Sequence, residues 1–335
     1  MEIKNDISLK SFNTFGMDVC VERFILIKLD EDILKFLSSA YVKEPFYVLG
    51  DGSNILLTQN IKGSILKMET KGIEILSVDG GKVLLKAKAG EEWDAFVRYC
   101  LENDYCGLEN LALIPGKVGS CPIQNIGAYG EEVKNHIKRV HAISVSDASV
   151  RIFDNQECAF GYRSSVFKTI YKNQYIITDV EFELTIGGKP NLSYADIAQR
   201  LEHITQPTAK DVYSVVSAIR NEKLPDHTKI GNAGSFFKNP VIELSHYESV
   251  KQKQPDLKAY PVSADTCKLS AAQLIDLASW KGKRIGNVGV HGVQPLVLVN
   301  YGDATGNEVL SLAKNIQQDV YSSFGIELDM EVNIW

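Results

Sequence analysis

The sequence predicts an α+β protein of two or three domains. The chain has 335 residues, more than a single hydrophobic core usually supports. Runs with strand-like alternation also stand beside stretches whose apolar residues recur at helical spacing. A Leu224-Pro225-Asp226 break follows one of these helical stretches, and we place a domain boundary there.

The first third of the chain predicts strands and helices in turn. Phe24–Ile27 is an apolar run typical of a strand, and Asp30 is expected to cap a helix that reaches Leu37. Val83–Ala87 predicts another strand. Gly90-Glu91-Glu92 then begins a second helix whose apolar residues share one face.

A turn of small residues, Gly50-Asp51-Gly52-Ser53-Asn54, separates the strand-like runs Phe46–Leu49 and Ile55–Leu57. A Rossmann fingerprint would need a third glycine at position 55 and a helix after the turn, and both are missing. The unencumbered N–H groups of such a turn can cradle a pyrophosphate. An ordinary hairpin turn has the same composition, so both interpretations stay open.

The stretch Gly107–Gly130 (GLENLALIPGKVGSCPIQNIGAYG) is rich in glycine and apolar residues and poor in charge. It predicts a buried, irregular connection. Such a connection indicates backbone that packs against something flat and polar, such as a cofactor. Gln124, Asn125 and Tyr129 could supply hydrogen bonds; a purely structural loop is the alternative.

Two strand-like runs, His141–Phe153 and Tyr175–Thr185, flank a turn at Phe160–Ser165 that carries Arg163. Its planar guanidinium could bind two oxygens of a carboxylate or phosphate, although a surface salt bridge is the commoner role for such a residue. A polar loop at Asn191–Asp196 follows.

Thr208 is expected to cap the helix that ends with Arg220 and Lys223. Beyond the domain boundary, Asn232–Pro240 (NAGSFFKNP) combines glycines and a proline with polar side chains. This composition makes a poor strand and a poor helix, so we expect a loop that carries function. Its two adjacent phenylalanines are costly to leave in water and suggest a cleft or ligand that covers them.

The C-terminal region predicts helices at Ser270–Trp280 and from Thr305, with a strand at Pro295–Asn300 between them. The alternation of Glu327–Trp335 predicts a half-buried strand. An acid in such a strand, here Glu331, is usually an edge charge.

Composition excludes several classes of function. A net charge of −6 and a pI of about 5.6 argue against a general nucleic-acid surface. The six cysteines form no Cys-x-x-Cys pair, which favours reduced thiols, and the scattered histidines do not support a zinc site. We find no signal-peptide pattern and no apolar run of membrane-spanning length. We therefore expect a cytoplasmic protein without nucleic-acid or membrane partners.

Taken together, the motifs resemble the UDP-N-acetylenolpyruvoylglucosamine reductase family, type I branch, across nearly the whole chain. The resemblance rests on motifs that occur in the family's order: NTFG from Asn13, LGDGSN, the Gly107–Gly130 stretch, GYRSS, KLPD, GNAGSFFKNP and the closing Glu331. It implies a flavoenzyme with noncovalent FAD, in a domain of the vanillyl-alcohol-oxidase (PCMH) type with two subdomains, and a smaller α/β substrate domain. It also implies a division at 1–70 (completed by 325–335), 71–224 and 225–324.

The resemblance further implies NADPH as reductant and reduction of an enolpyruvyl UDP-sugar in peptidoglycan synthesis. Separately, we expect a monomer. The resemblance assigns Ser235 as the proton donor, and Arg163 and Glu331 as the pair at the substrate carboxylate. Cofactor contacts are assigned to Gly50, Asp51, Gly52, Ser53, Asn54, Gly119, Ser120, Gln124, Asn125, Gly127, Tyr129 and Arg220. Substrate contacts are assigned to Tyr194, Lys223, Asn239, Tyr260, Lys268 and Gln294.

Two positions depart from the family's pattern. Asn333 stands where an arginine is often found two residues after the terminal acid, and Cys121 replaces the second serine of Gly-Ser-Ser-Pro. We expect both to be tolerated, because neither supplies the hydride or the proton. Another flavin oxidoreductase, or a silent nucleotide-sugar binding protein, would be expected to lack one or more of Ser235, Arg163 and Glu331, which this chain retains.

Overall fold

The computed structural model describes all 335 residues and has an α+β fold. The helices are α1 (Asp30–Leu37), α2 (Trp93–Glu102), α3 (Ala195–Leu201), α4 (Ala209–Lys223), α5 (Leu244–Lys253), α6 (Ala271–Leu277) and α7 (Gly306–Phe324). The strands are β1 (Glu2–Ser8), β2 (Cys20–Ile27), β3 (Phe46–Leu49), β4 (Ile55–Leu56), β5 (Ile61–Met68), β6 (Ile73–Asp79), β7 (Lys82–Lys88), β8 (Tyr105–Cys106), β9 (Gly127–Ala128), β10 (Glu131–Glu132), β11 (Ile137–Ser144), β12 (Val150–Asp154), β13 (Tyr175–Ile186), β14 (Gly231–Ser235), β15 (Val241–Glu243), β16 (Ala259–Pro261), β17 (Thr266–Leu269), β18 (Arg284–Ile285), β19 (Val288–Val290), β20 (Val297–Asn300) and β21 (Asn333–Ile334).

The chain forms two compact units from non-contiguous segments. The first unit comprises Met1–Ile7, Val21–Asp51 and Lys62–Glu222; the second comprises Ser8–Cys20, Gly52–Ile61 and Lys223–Trp335. The three-domain division expected from the sequence stays a prediction. None of the helices is both long and apolar enough to cross a lipid bilayer.

The core of the first unit lies between a six-stranded antiparallel sheet and α2. The sheet has the order β12-β11-β13-β7-β6, with β8 also paired to β13. The tilted rings of Phe96 of α2 and Phe182 of β13 pack with centroids 4.8 Å apart, beside Trp93. All three side chains are fully buried, and burial of each aromatic ring stabilises the fold by roughly 1.5–3 kcal/mol.

The second unit contains a sheet of order β14-β20-β19-β18, a three-stranded sheet β15-β17-β16, and the parallel pair β4–β21. The long helix α7 begins with a capping box, in which Thr305 and Glu308 each satisfy a backbone N–H of the other. It ends at Gly325, which takes the left-handed conformation with φ 67°.

Several expectations about local structure are confirmed. Strands form at the predicted Phe24–Ile27 and Val83–Ala87 runs. Thr208 accepts from Asp211 N at 3.3 Å at the start of α4, and Ser270 caps α6. The first helix begins where expected, but its cap differs: the Asp32 carboxylate accepts from the N–H groups of residues 28 and 29, so Asp32 and not Asp30 satisfies them.

Other expectations are wrong. The run His141–Phe153 is two antiparallel strands joined by a turn. Of Glu327–Trp335, only Asn333–Ile334 forms a strand, with an isolated bridge from Met330. Of the loop expected at Asn232–Pro240, the first four residues belong to strand β14, because a bulge between Asn232 and Ser235 lets the glycines follow the sheet. The rest is irregular except for an isolated bridge at Phe237.

Candidate functional site

Ser235 is the last residue of β14 and is paired with Val297 of β20. Just before it the Asn232 side chain accepts from Gly234 N at 3.0 Å, while its amide donates to Ile230 O at 2.9 Å. Gly234 has φ +67°, a conformation that glycine adopts without strain. Side-chain hydrogen bonds and a bulge therefore set where the Ser235 backbone leaves the sheet.

The chain segment after Ser235 pairs with the segment that carries Glu331. Glu331 N donates to Phe236 O at 2.8 Å and Lys238 N donates to Asp329 O at 2.9 Å, on either side of an antiparallel bridge between residues 237 and 330. Ser235 and Glu331, which the resemblance assigns to one reaction, are thus held on neighbouring backbone segments of the second unit.

The adjacent phenylalanines need no ligand to cover them. Phe236 and Phe237 are almost completely buried, and Phe236 packs edge-on against Phe15 with centroids 6.3 Å apart. The expectation that a cleft or ligand shields these rings is wrong, because the protein core does so. Lys238, by contrast, is partly exposed and lies 3.8 Å from the Asp329 carboxylate.

The Gly52–Asn54 part of the small-residue turn is tied to the same region of the second unit. Asn54 N–H₂ donates to Glu331 O at 3.5 Å, and Gly52 O accepts from Thr14 N at 3.1 Å. Ser53 lies half-buried between them. A Cβ on Gly52 would stand 2.1 Å from Phe12 O, so only glycine fits.

The turn is not a hairpin. Strand β3, before it, pairs in parallel with β5, and β4, after it, pairs in parallel with β21. Since the flanking strands do not pair with each other, the hairpin interpretation is excluded. The departure at Asn333 has a structural use here: its side chain donates to Asn54 O at 3.0 Å, beside the backbone hydrogen bond from its own N–H.

In the first unit, the ammonium groups of Lys67 and Lys117 contact Gly50 and Asp51. Sequence reasoning missed both lysines. Lys67 Nζ lies 2.6 Å from Gly50 O and 3.3 Å from Asp51 Oδ1. Lys117 Nζ lies 3.2 Å from the same Asp51 oxygen. Glu69 contacts both ammonium groups, at 2.9 and 3.9 Å. A lysine inside the apolar run of β5 was the available sequence signal.

The glycine-rich stretch is confirmed as an irregular connection, since it contains only two short 3₁₀ turns and the two-residue strand β9. Gly119 packs so tightly that a Cβ there would stand 2.5 Å from Ala89 Cβ. Ser120 Oγ donates to Lys117 O at 2.7 Å, and Gln124 is half-buried. Cys121 is buried, which raises the pKa of its thiol well above the usual value, so it stays neutral.

Asn125 is a structural tie within this stretch. It is fully buried and has φ +47°. Its amide donates to Gly161 O at 3.0 Å and to Glu132 Oε2 at 3.1 Å, while its oxygen accepts from Lys134 N. Through Gly161 the side chain fixes the turn that carries Arg163.

Arg163 itself adopts φ +52°, an unusual backbone conformation that clusters at functional sites. Its Nη2 donates to Gly127 O at 2.6 Å, and its guanidinium lies 5.4 Å from the Tyr162 ring centroid. A Cβ on Gly127 would stand 3.0 Å from Arg163 Nη1, so glycine leaves room for the guanidinium.

Tyr129 lies near one predicted substrate contact, Tyr194, and near one predicted cofactor contact, Arg220. Its ring stands edge-on to Tyr194 with centroids 5.2 Å apart. Burial lowers the pKa of Arg220, and the nearby Tyr129 and Asp94 oppose that effect. Tyr194 ends the irregular segment before α3, as expected of the polar loop, and its carbonyl accepts the first hydrogen bonds of that helix, to which Ala195 and Asp196 already belong.

Asn110, which sequence reasoning also missed, connects the Tyr129 and Tyr194 segments. It is buried, and its amide donates to Tyr129 O at 2.9 Å and to Asn191 O at 3.0 Å. Glu131 accepts from the Asn191 amide at 3.0 Å. The chain segment before Tyr194 is thereby anchored on the turn that follows Tyr129.

The remaining substrate candidates lie in the second unit. Lys268 of β17 is paired with Tyr260 of β16, so both residues lie in the three-stranded sheet. Asn239 Oδ1 accepts from Ala271 N at 2.9 Å at the start of α6. Gln294 N donates to His291 Nδ1 at 3.1 Å. Lys223 ends α4 and is half-buried.

The residues present fit a dinucleotide cofactor. At Gly52 the backbone packs directly against the backbone of residues 12 and 13, so the turn can present N–H groups to a ligand without a side chain in between. The N–H of Gly119 is already used, since it donates to Ala89 O at 2.9 Å. No group of three or more His, Cys, Asp or Glu side chains is arranged to hold a metal ion.

Comparison with known proteins agrees with these features. The family profile of the FAD binding domain matches residues 22–153, and that of the UDP-N-acetylenolpyruvoylglucosamine reductase C-terminal domain matches residues 225–335. Residues 22–153 thus belong to an FAD-binding domain.

Full-length relatives extend the match. UDP-N-acetylenolpyruvoylglucosamine reductase of Flavobacterium johnsoniae is 45% identical, with 100% of both chains covered, and that of Pseudomonas aeruginosa is 46% identical over 100% of this chain and 99% of its own. The crystal structure of the Thermus caldophilus enzyme has the same fold, with a TM-score of 0.69 at 22% identity over 100% of this chain and 99% of that one. On this evidence the chain belongs to the UDP-N-acetylenolpyruvoylglucosamine reductase family.

Proposed function

We propose that the protein uses NADPH to reduce the enolpyruvyl group of UDP-N-acetylglucosamine enolpyruvate, which gives UDP-N-acetylmuramate for peptidoglycan synthesis. Family membership along the whole chain supports this reaction. The observation that carries it is the pairing of the Ser235 segment with the Glu331 segment through Glu331 N and Phe236 O.

The cofactor is FAD, bound noncovalently at one per chain, and it supplies the hydride that NADPH provides. The residues that would hold it are those of the small-residue turn, Gly119 and Ser120, the Gln124–Tyr129 segment and Arg220. The enzyme works in the cytoplasm as a monomer.

Ser235 donates the proton. Hydride addition to the terminal methylene leaves negative charge on the carbon that bears the carboxylate, and this carbon is basic enough to take a proton from a hydroxyl. The carbon–hydrogen bond forms as the serine O–H bond breaks. The resulting alkoxide is stabilised by a partner charge or water; Lys238, three residues on, is the nearest cation in sequence.

Arg163 and Glu331 stabilise the charge that develops on the substrate carboxylate. Arg163 supplies a planar fork of donors, and its hydrogen bond to Gly127 O limits how far the guanidinium must reorganise. Glu331 acts in its protonated form or on the enol form of the carboxylate, because an ionised acid would repel the charge. Tyr194, Lys223, Asn239, Tyr260, Lys268 and Gln294 contact the UDP-sugar, with the lysines at its diphosphate.

Ser235→Ala tests this proposal. Flavin reduction by NADPH should remain nearly as fast as in the wild type, because that half-reaction needs no proton from Ser235. Reoxidation by the enolpyruvyl substrate should slow by about 10²–10⁴-fold, as expected for the loss of one general acid. Stopped-flow absorbance of the flavin separates the two steps.

The exposed Ser311 of α7 provides the control, since Ser311→Ala should change neither step. In heavy water the wild type should place solvent deuterium on the carbon that bears the carboxylate. A Ser235→Ala enzyme that turns over at the wild-type rate would remove this residue from the mechanism, and failure of the wild type to oxidise NADPH with this substrate would overturn the function itself.

A further inference from the structure

A cluster of four charges, of which the two lysines are buried, lies where β3 leads into the small-residue turn. It consists of Lys67, Lys117, Asp51 and Glu69, and we call it the lysine cluster. The two lysine residues are 7% and 5% exposed, whereas about a third of each carboxylate side chain is exposed. The formal charges of the lysine cluster sum to zero.

Lysine is rarely buried to this degree unless it is paired. Lys67 stands in β5 within a run, Gly63–Met68, in which every residue is buried. An apolar side chain at this position would be equally compatible with a buried strand. The lysine is therefore better explained by what its ammonium group contacts than by packing.

Those contacts converge on the first residues of the turn. Lys67 is in register with Leu49, the residue before Gly50, and its ammonium donates to Gly50 O at 2.6 Å. The aliphatic chain of Lys117 passes Gly50 so closely that a Cβ there would stand 3.4 Å from Lys117 Cγ. Asp51 Oδ1 lies 3.3 and 3.2 Å from the two ammonium groups.

We propose that Lys67 and Lys117 are positioning residues for the FAD diphosphate, acting through Gly50 and Asp51. Together they hold the Gly50 carbonyl and the Asp51 carboxylate against the body of the first unit. They also neutralise two carboxylates that would otherwise repel a diphosphate brought to the turn. The inference rests on the proposed function, from which it takes FAD as the ligand.

Removal of either ammonium group leaves the lysine cluster with a net charge of −1. It also removes contacts that hold the first residues of the turn in place. Lys67→Met, which keeps the length and apolar stem of the side chain, should raise the Kd for FAD at least tenfold, and Lys117→Met should do the same. The Kd is measured from flavin fluorescence on dilution of the holoenzyme, at a temperature where unfolding is negligible. Lys62→Met is the matched control, since Lys62 is exposed on the same strand, and its Kd should stay within twofold of the wild type.

A second pair of variants separates positioning from a merely structural role. Asp51→Asn added to Lys67→Met restores a neutral cluster and should recover part of the lost affinity. If Lys67→Met does not fold, Lys67→Gln with Asp51→Asn offers hydrogen-bonding amides in place of the ion pair. A lowered Tm with an unchanged Kd for FAD in the lysine variants would overturn the inference. A wild-type protein that binds no FAD would instead overturn the proposed function, and this inference with it.

Discussion

Glu331 N donates to Phe236 O at 2.8 Å, so a backbone hydrogen bond ties Glu331 to the segment that follows the Ser235 strand. Glu331→Gln leaves this backbone hydrogen bond in place and changes only the carboxyl group. The substitution therefore tests the chemistry of Glu331.

We expect Glu331→Gln to keep the wild-type unfolding midpoint and flavin spectrum while flavin reoxidation by the substrate slows, because the amide cannot be protonated as the acid can. Stopped-flow kinetics and thermal unfolding measure the two properties. Glu327→Gln, at an exposed position of the same segment, should leave both unchanged. A Glu331→Gln enzyme with normal reoxidation would show that the carboxyl group has no part in the reaction.

Gly52 and Gly16 provide a matched pair of substitutions. Their φ angles are nearly equal, +65° and +68°, but a Cβ on Gly52 would stand 2.1 Å from Phe12 O, whereas one on Gly16 would meet nothing within 4 Å. Gly16→Ala should therefore cost about 1 kcal/mol of unfolding free energy, from backbone strain alone. Gly52→Ala should cost more than that and weaken FAD binding, because the turn must move. Equal unfolding free energies in urea titrations of the two variants would contradict the steric argument.

Asn110→Asp tests the anchor of the Tyr194 segment. A carboxylate cannot donate to the carbonyls of residues 129 and 191, and each buried group left without a donor costs roughly 1–3 kcal/mol. Amide hydrogen exchange should accelerate at residues 191–194, and the KM for the UDP-sugar should rise. Asn103→Asp, which removes a donor from one exposed carbonyl, should leave that exchange as it is. Unchanged exchange in Asn110→Asp would refute the anchor.

Glu131 makes folding sensitive to acid. Burial alone would raise its pKa, but hydrogen bonds from His136, Asn191 and Asn135 outweigh burial and lower the pKa of Glu131 to about 2. A carboxyl group whose pKa is lowered by folding stabilises the protein above its unfolded pKa and loses that contribution as pH falls towards the folded value. The loss of unfolding free energy between pH 4.5 and pH 2 should thus be shallower in Glu131→Gln than in the wild type. Denaturant titrations measure the unfolding free energy at each pH. An equal loss in the variant and the wild type over this range would contradict the prediction.

The sequence predicted elements whose signals are local. Helix α7 has an apolar stripe and a Thr305 cap, and β13 alternates along its length. Helix α3 was missed because its start, beside Tyr194, is polar. Helix α5 was missed because only Tyr247 and Val250 of its ten residues are buried. Strand β14 was missed because its pairing depends on β20, which lies far along the chain.

The same distinction holds for the candidate site. Glycine turns, Ser235 and Arg163 stand in recognisable motifs. Lys117 and Asn110 have little local signal, and the position of Lys67 in an apolar run is the one signal that it gives. A lysine or asparagine becomes informative only when the fold shows that it is buried and which backbone groups it contacts.

The pairing of residues 330–335 also bears on how the protein assembles during synthesis. Every segment of the first unit lies within residues 1–222, so that unit can fold while the ribosome is still making the rest of the chain. The second unit can be completed only after its C-terminal residues are made, because Thr58 donates to Trp335 O across 277 residues. Phe236 O likewise accepts from Glu331 N, far along the chain. Contacts so distant in sequence form slowly. The segment that carries Ser235 therefore acquires its neighbour Glu331 only among the last events of folding.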